Sequence, residues 1–179
     1  MDRAHIMVDL ETMGTAPGSA IASIGACVFD PATGTIGHRF YRAVDLRSCQ
    51  RAGLTFDADT ILWWLKQGQS AREALTAPGA IHIAQAIQEF GSFWREEGGK
   101  FIWGHGANFD EPLLSAAHRA LSIPTPWDYW NARCTRTIFA LTNVQPARHV
   151  GTHHNALDDA LRQAEAVCVA WTKFGAPTP

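Results

Sequence analysis

Ile6-Met7-Val8-Asp9-Leu10-Glu11-Thr12 is an apolar run that ends in two acids. Ile6 to Val8 is too short for a helix and rich in strand formers, so it reads as a β-strand. Asp9 and Glu11 stand at i and i+2, and a strand turns both toward one face and into one cleft. Two carboxylates held side by side repel, and burial raises that cost. A divalent cation between them makes the arrangement favourable, because Mg²⁺ and Mn²⁺ prefer oxygen ligands. An isolated D-x-E is more often a strand end with two solvated acids. This one is not isolated: Asn108-Phe109-Asp110 comes after a later apolar strand, and His154-Asn155-Ala156-Leu157-Asp158-Asp159-Ala160 stands at the opening of the last helix.

The chain has 179 residues, 46% apolar and 18% charged. That composition suits one folded domain over residues 1–174, with 175–179 as a short tail. A net charge of −2 argues against coating long duplexes and favours a short footprint on nucleic acid. Of the seven tryptophans, most are expected in the core and a few as platforms for a base. Cys27, Cys49, Cys134 and Cys168 are scattered without C-x-x-C spacing, as free thiols in a reducing compartment would be. No run approaches the roughly 18 apolar residues of a membrane span, and no basic-then-apolar leader opens the chain. The expectation is a cytoplasmic protein with no membrane partner.

Outward from the first strand, residues 14–19 read as a loop, 21–29 and 36–44 as two strands joined by the turn Asp30-Pro31-Ala32-Thr33-Gly34. A helix is expected from Asp57 or Asp59 as cap, carrying Ile61, Leu62, Trp64 and Leu65. A stronger one spans 80–97, with Ile83, Ala86, Ile87, Phe90, Phe93 and Trp94 on one stripe and Gly98-Gly99 as the stop. Phe101 to Trp103 is a short strand, 110–121 a helix, 127–134 a region with room for a strand, and Thr135 a cap for a helix through Leu141. The final helix runs from about Asn155 to Phe174. Strands followed by helices alternating with single strands give an α/β or α+β domain, a mixed sheet flanked by helices.

Asp110 follows a strand where a helix begins, a place where ligands gather and where a carboxylate also serves as a helix cap. In the last helix, Leu157, Leu161, Ala164, Cys168 and Trp171 make the expected core stripe. Asp158 then shares a side with Arg162 and Glu165, its i, i+4 partner being Arg162. Asp159 shares a face with Ala166 and Ala170, small residues that allow close approach, which makes it the better site residue. His154, five residues before Asp159, reaches the same cleft from the loop if Asn155 caps the helix. His153 is its rival, and a histidine pair in a loop is also read simply as exposed polar residues.

Together these pieces resemble the DEDDh branch of the DnaQ-like 3′–5′ exonucleases, whose three motifs carry four acids and a histidine. Asp9 and Glu11 match the first motif, Asp110 in Gly104-His105-Gly106-Ala107-Asn108-Phe109-Asp110 the second, and His154 with Asp159 the third. The resemblance spans residues 6 to about 172, and its frame selects the same aspartate as the helix faces do. It implies an RNase H-like α/β fold with a central five-stranded mixed sheet and helices on both faces. It also implies two divalent cations, Mg²⁺ or Mn²⁺, on Asp9, Glu11, Asp110 and Asp159. His154 is then the general base, its unperturbed pKa near 6.5 being suited to that task. Within the family the chain looks most like a small bacterial and phage subgroup of exoribonucleases related to exodeoxyribonuclease VIII. The stretches that carry this are Asp9-Leu10-Glu11-Thr12-Met13-Gly14, Trp63-Trp64-Leu65-Lys66-Gln67 and Trp127-Asp128-Tyr129-Trp130-Asn131. The implied partner is single-stranded nucleic acid or a 3′ overhang, RNA before DNA, and relatives of this size suggest a homodimer.

Expected substrate contacts are the backbone of Met13 and Gly14, the exposed ring of Trp63 (with Trp64 in the core), Asn108 beside the second motif, and Arg133. Arg136 and Arg148 join Arg133 as sources of a positive rim. Two other readings use the same residues: a module of this fold that binds without cutting, and a metal-dependent hydrolase of small phosphoesters. The first is expected to have lost an acid, and here every motif position is filled.

Overall fold

The apolar N-terminal run is the middle strand of a five-stranded mixed sheet of order β3-β2-β1-β4-β5. The computed structural model describes residues 4–76, 78–147 and 155–175. Strand β1 (Ala4–Thr12) pairs antiparallel with β2 (Ile21–Asp30) and parallel with β4 (Gly99–Gly104). Outside them lie β3 (Thr35–Ala43), antiparallel to β2, and β5 (Ala132–Cys134), parallel to β4. Every residue of β2 except Asp30 is buried, as a strand covered on both faces must be.

Alternation along β1 sends its side chains into two separate cores. Ile6, Val8 and Leu10 pack with Ile24, Ala26 and Phe40 against the stripe of α4 (Ile83–Glu96) and Leu113, Leu114 and Ala117 of α5 (Asp110–Ala120). Met7 packs with Cys27, Phe29 and Trp103 against Ala160, Ala164 and Val167 of the last helix. Asp9 and Glu11 share Met7's parity and so emerge on the last helix's side.

The helix ends follow capping chemistry. Helix α1 (Leu46–Arg51) is capped by Asp45, and Asp57 caps α2 (Ala58–Leu65) by accepting the Thr60 N–H at 2.8 Å. Helix α3 (Gln69–Ala74) completes that side. Helices α1 and α3 lie outside the sequence expectation because six residues are too few to show a period. Beyond a single 3₁₀ turn at Tyr129–Asn131 and strand β5, helix α6 spans Thr135–Thr142. Thr135 is its first residue and not its cap: Cys134 holds the cap position, and the buried Thr135 hydroxyl pairs with His105 Nδ1 at 2.8 Å. Helix α7 (Ala156–Phe174) opens on Asn155, whose side chain accepts from the N–H groups of Leu157 and Asp158.

The buried stripe of α7 differs from the expected one. Leu157, Leu161 and Trp171 are half-buried on its flanks, while Ala156, Ala160, Gln163, Ala164, Val167 and Ala170 face the sheet. Small side chains do the packing because the helix lies very close to β2. A Cβ on Gly25 would fall 2.2 Å from the carbonyl carbon of Ala156 and from the Leu157 nitrogen. Gly25 is the register partner of Asp9, so the first turn of α7 lands beside the first acid. The four cysteines are free thiols, as expected. Among the described residues no helix is long and apolar enough to cross a membrane.

Candidate active site

Asp9 and Glu11 come from β1 and Asp159 from the first turn of α7, and each offers a carboxylate oxygen within 4.8 Å of the other two. Asp110, at the start of α5, stands behind them with only 1% of its surface exposed. Its Oδ1 accepts the Leu10 N–H at 3.2 Å and its Oδ2 the His105 N–H at 2.6 Å. The carboxylate is thus turned back onto the strands, and Phe109 occupies the cap position of α5. Gly104 leaves the necessary space, since a Cβ there would stand 2.9 Å from Asp110 Oδ2.

Crowding of these acids shifts their protonation. Burial raises Asp9 well above the ordinary range, helped by the charges of Asp110, Glu11 and Asp159, while a hydrogen bond from Gln163 opposes the rise. Burial, with Asp159 and Asp110 nearby, pushes Glu11 up to about 8. Asp110 rises to about 6 by burial, held back by the His105 and Leu10 N–H groups. An all-oxygen donor set that resists carrying its own negative charge fits a hard divalent cation, which supplies the missing countercharge.

The acids open into a cleft of about 600 Å³ lined by β1, α2, Phe109 and Asp159. Trp63 stands on its wall, 43% exposed. Trp64 is buried and donates its indole N–H to the Thr12 carbonyl at 2.9 Å, fixing the wall to the end of β1. Asp57, Asp59 and Thr60 add further polar lining. Met13 is buried; its N–H donates to the Ala20 carbonyl and its own carbonyl accepts the Asp57 N–H. The Gly14 carbonyl accepts the Thr12 hydroxyl at 2.7 Å. Asn108 is exposed in the loop before α5.

Arg133 is not brought to this cleft. Its guanidinium lies 4.7 Å over the Phe101 ring and donates to the Trp130 and Ala132 carbonyls, in a separate groove with Trp103 and Trp171. Arg136 is the nearer cation: a Cβ on Gly106 would lie 3.7 Å from its guanidinium carbon, and its charge is felt by Asp110. His154, its rival His153, and Arg148 lie outside the described residues.

Two neighbours of the acids have no sequence signature. Arg162 donates to Asp159 Oδ1 at 2.5 Å, an i, i+3 pair in place of the expected i, i+4 pair with Asp158. Gln163 donates to Asp9 Oδ1 at 2.7 Å.

A five-stranded mixed sheet flanked by helices, with acids gathered at the end of its central strand, places the molecule among RNase H-like exonucleases of the DnaQ-like group. The chain belongs to the 3′-5′ exoribonuclease Rv2179c-like domain family, which it matches over residues 4–171. It is 27% identical over 161 residues to an exodeoxyribonuclease of Enterobacteria phage T4, covering 73% of this chain and 68% of that protein. Among solved structures, exonuclease X in complex with 5′ overhanging duplex DNA superposes with a TM-score of 0.59 at 17% identity, covering 97% of this chain and 94% of that one. The nuclease domain of 3′hExo, a DEDDh family member bound to rAMP, gives 0.60 at 13% identity over 93% and 90% of the two chains. At these identities the likeness is one of fold.

Proposed function

We propose that this chain hydrolyses single-stranded RNA from its 3′ end and releases nucleoside 5′-monophosphates. Family membership supports the 3′–5′ exonuclease; RNA as the polymer is the finer step, favoured by the family's description over that of the phage relative. The observation that carries the reading is the convergence of Asp9, Glu11 and Asp159 within 4.8 Å at the floor of an open cleft.

In this reading Asp9, Glu11, Asp110 and Asp159 would hold two divalent cations, Mg²⁺ or Mn²⁺, Asp110 through the lone pairs that its bonds to the Leu10 and His105 N–H groups leave free. Such ions, when bound, stabilise charge developing on a phosphodiester and render a water nucleophilic at neutral pH. Water would add to the terminal phosphorus as the bond to the 3′ oxygen breaks; an imidazole nitrogen of His154 would take the water's proton, and the departing 3′ oxygen would gain one from solvent. Trp63 offers its exposed face to the terminal base, and Arg136 offers a charge to the phosphate. Met13 and Gly14 act from behind the cleft and not on the nucleotide: the Met13 backbone is spent on Ala20 and Asp57, and Gly14 packs on Ser19 and Asp57. Asn108, exposed beside Phe109, remains a candidate contact.

The test is a gel assay of 5′-labelled single-stranded RNA and matching DNA with Mg²⁺, Mn²⁺ or EDTA. The expected result is a metal-dependent ladder that shortens from the 3′ end, faster on RNA. Faster shortening of DNA overturns the choice of polymer. No shortening of either, by folded protein with every metal, overturns the exonuclease reading. Hydrolysis of a chromogenic phosphomonoester in that case selects a small-phosphoester hydrolase.

A further inference from the structure

Gln163 is the one strongly polar side chain in the stripe that α7 presses onto the sheet. It is 4% exposed, and its stripe neighbours are Ala160, Ala164, Val167 and Ala170. Its Nε2 donates to Asp9 Oδ1 at 2.7 Å, while its Oε1 is buried with no hydrogen-bond partner among the described residues. A buried amide satisfied at one end only costs stability. Leucine or methionine would fill the same volume without that cost. Packing therefore gives no reason for an amide here, and the Nε2 contact does.

We propose that Gln163 is the positioning residue for Asp9, a role that rests on the metal-centre reading. An N–H held on one oxygen fixes the rotation of the carboxylate, which is otherwise broad, and commits the second oxygen to the cation. Outer partners of this kind orient metal ligands and govern affinity without touching the ion. Neutrality is part of the fit. The neighbouring Arg162 holds Asp159 with a full positive charge, which competes with a cation for that ligand. Gln163 orients Asp9 and adds no charge of its own to compete with the ion.

The test is Mn²⁺ binding to the free protein by titration calorimetry, in wild type and Gln163→Met, with melting temperatures recorded in EDTA. Wild type is expected to bind Mn²⁺. Gln163→Met should bind about 10- to 100-fold more weakly, melt no lower than wild type, and recover its kcat at high Mn²⁺. Unchanged Mn²⁺ affinity overturns the proposal. So does weakened affinity accompanied by a lower melting temperature and no recovery at high Mn²⁺, the signature of a structural role. A wild type that binds no Mn²⁺ overturns the metal centre itself, and that outcome is recognised before any variant is made. Should Gln163→Met fail to fold, Gln163→Leu carries the same test.

Discussion

Asp158 and Asp159 are adjacent, yet the helix sends them to different surroundings. Asp159 reaches the carboxylates of Asp9 and Glu11 and is held by Arg162. Asp158 lies outside that cluster, with its N–H spent on the Asn155 cap. Asp159→Ala should therefore lower kcat about 1000-fold, or about 4 kcal/mol of barrier, and Asp158→Ala by less than about threefold; steady-state kinetics with Mg²⁺ read both. At the cleft wall, Trp63→Ala should raise KM about tenfold with a smaller change in kcat, since stacking is worth about 1–3 kcal/mol per base. The meeting of Asp9, Glu11 and Asp159 was legible: strand alternation pairs the first two, and the order of the three motifs brings in the third. Arg162 and Gln163 were not. Each is a single polar residue in a helix, and the partner of Gln163 lies 154 positions away, where no periodicity reaches.

Two elements meet the site only because a side chain is missing. Gly25 lets the first turn of α7 rest on β2, and Gly104 lets Asp110 lie against β4. Gly25→Ala must lift α7, and with it Asp159, away from Asp9. Overpacking of this kind costs about 1–3 kcal/mol, read as a melting temperature lower by about 3–10 °C together with weaker Mn²⁺ binding. The long elements were legible: β2, α4 and α7 appear within a few residues of their expected bounds. The face of α7 was misjudged because leucines at 157 and 161 look like core. A helix this close to a sheet packs with alanine instead. Helices α1 (despite its Asp45 cap) and α3 and the 3₁₀ turn escaped because each is too short to show a period.

For the molecule as a whole, the acids make stability depend on pH. Folding moves Glu11 from an ordinary 4.5 to about 8 and Asp110 from 3.8 to about 6. Groups raised in this way bind more protons in the folded than in the unfolded chain. Their contribution to stability is full below the ordinary values and is lost as pH rises through about 6 and then about 8. In EDTA the melting temperature should fall between about pH 7 and about pH 8.5, above the range in which the buried His5, His105 and His118, held below their ordinary value, act in the opposite sense. Added Mn²⁺ should reverse the trend, because the ionised acids bind it and the ligand stabilises only the folded state. A melting temperature in EDTA that rises over that interval would refute the assignment.

The lining of the cleft has a consequence for protons. Five of its described residues are acids (Asp9, Glu11, Asp57, Asp59 and Asp159), yet the cleft by itself does not express all of that charge. Burial keeps a proton on Asp9 and on Glu11 near neutral pH, and Arg162 offsets Asp159. A cation that takes these carboxylates as ligands must displace those protons. Adding Mn²⁺ to the protein in weak buffer should therefore acidify the solution, and the yield of protons should shrink as the starting pH is raised past about 8.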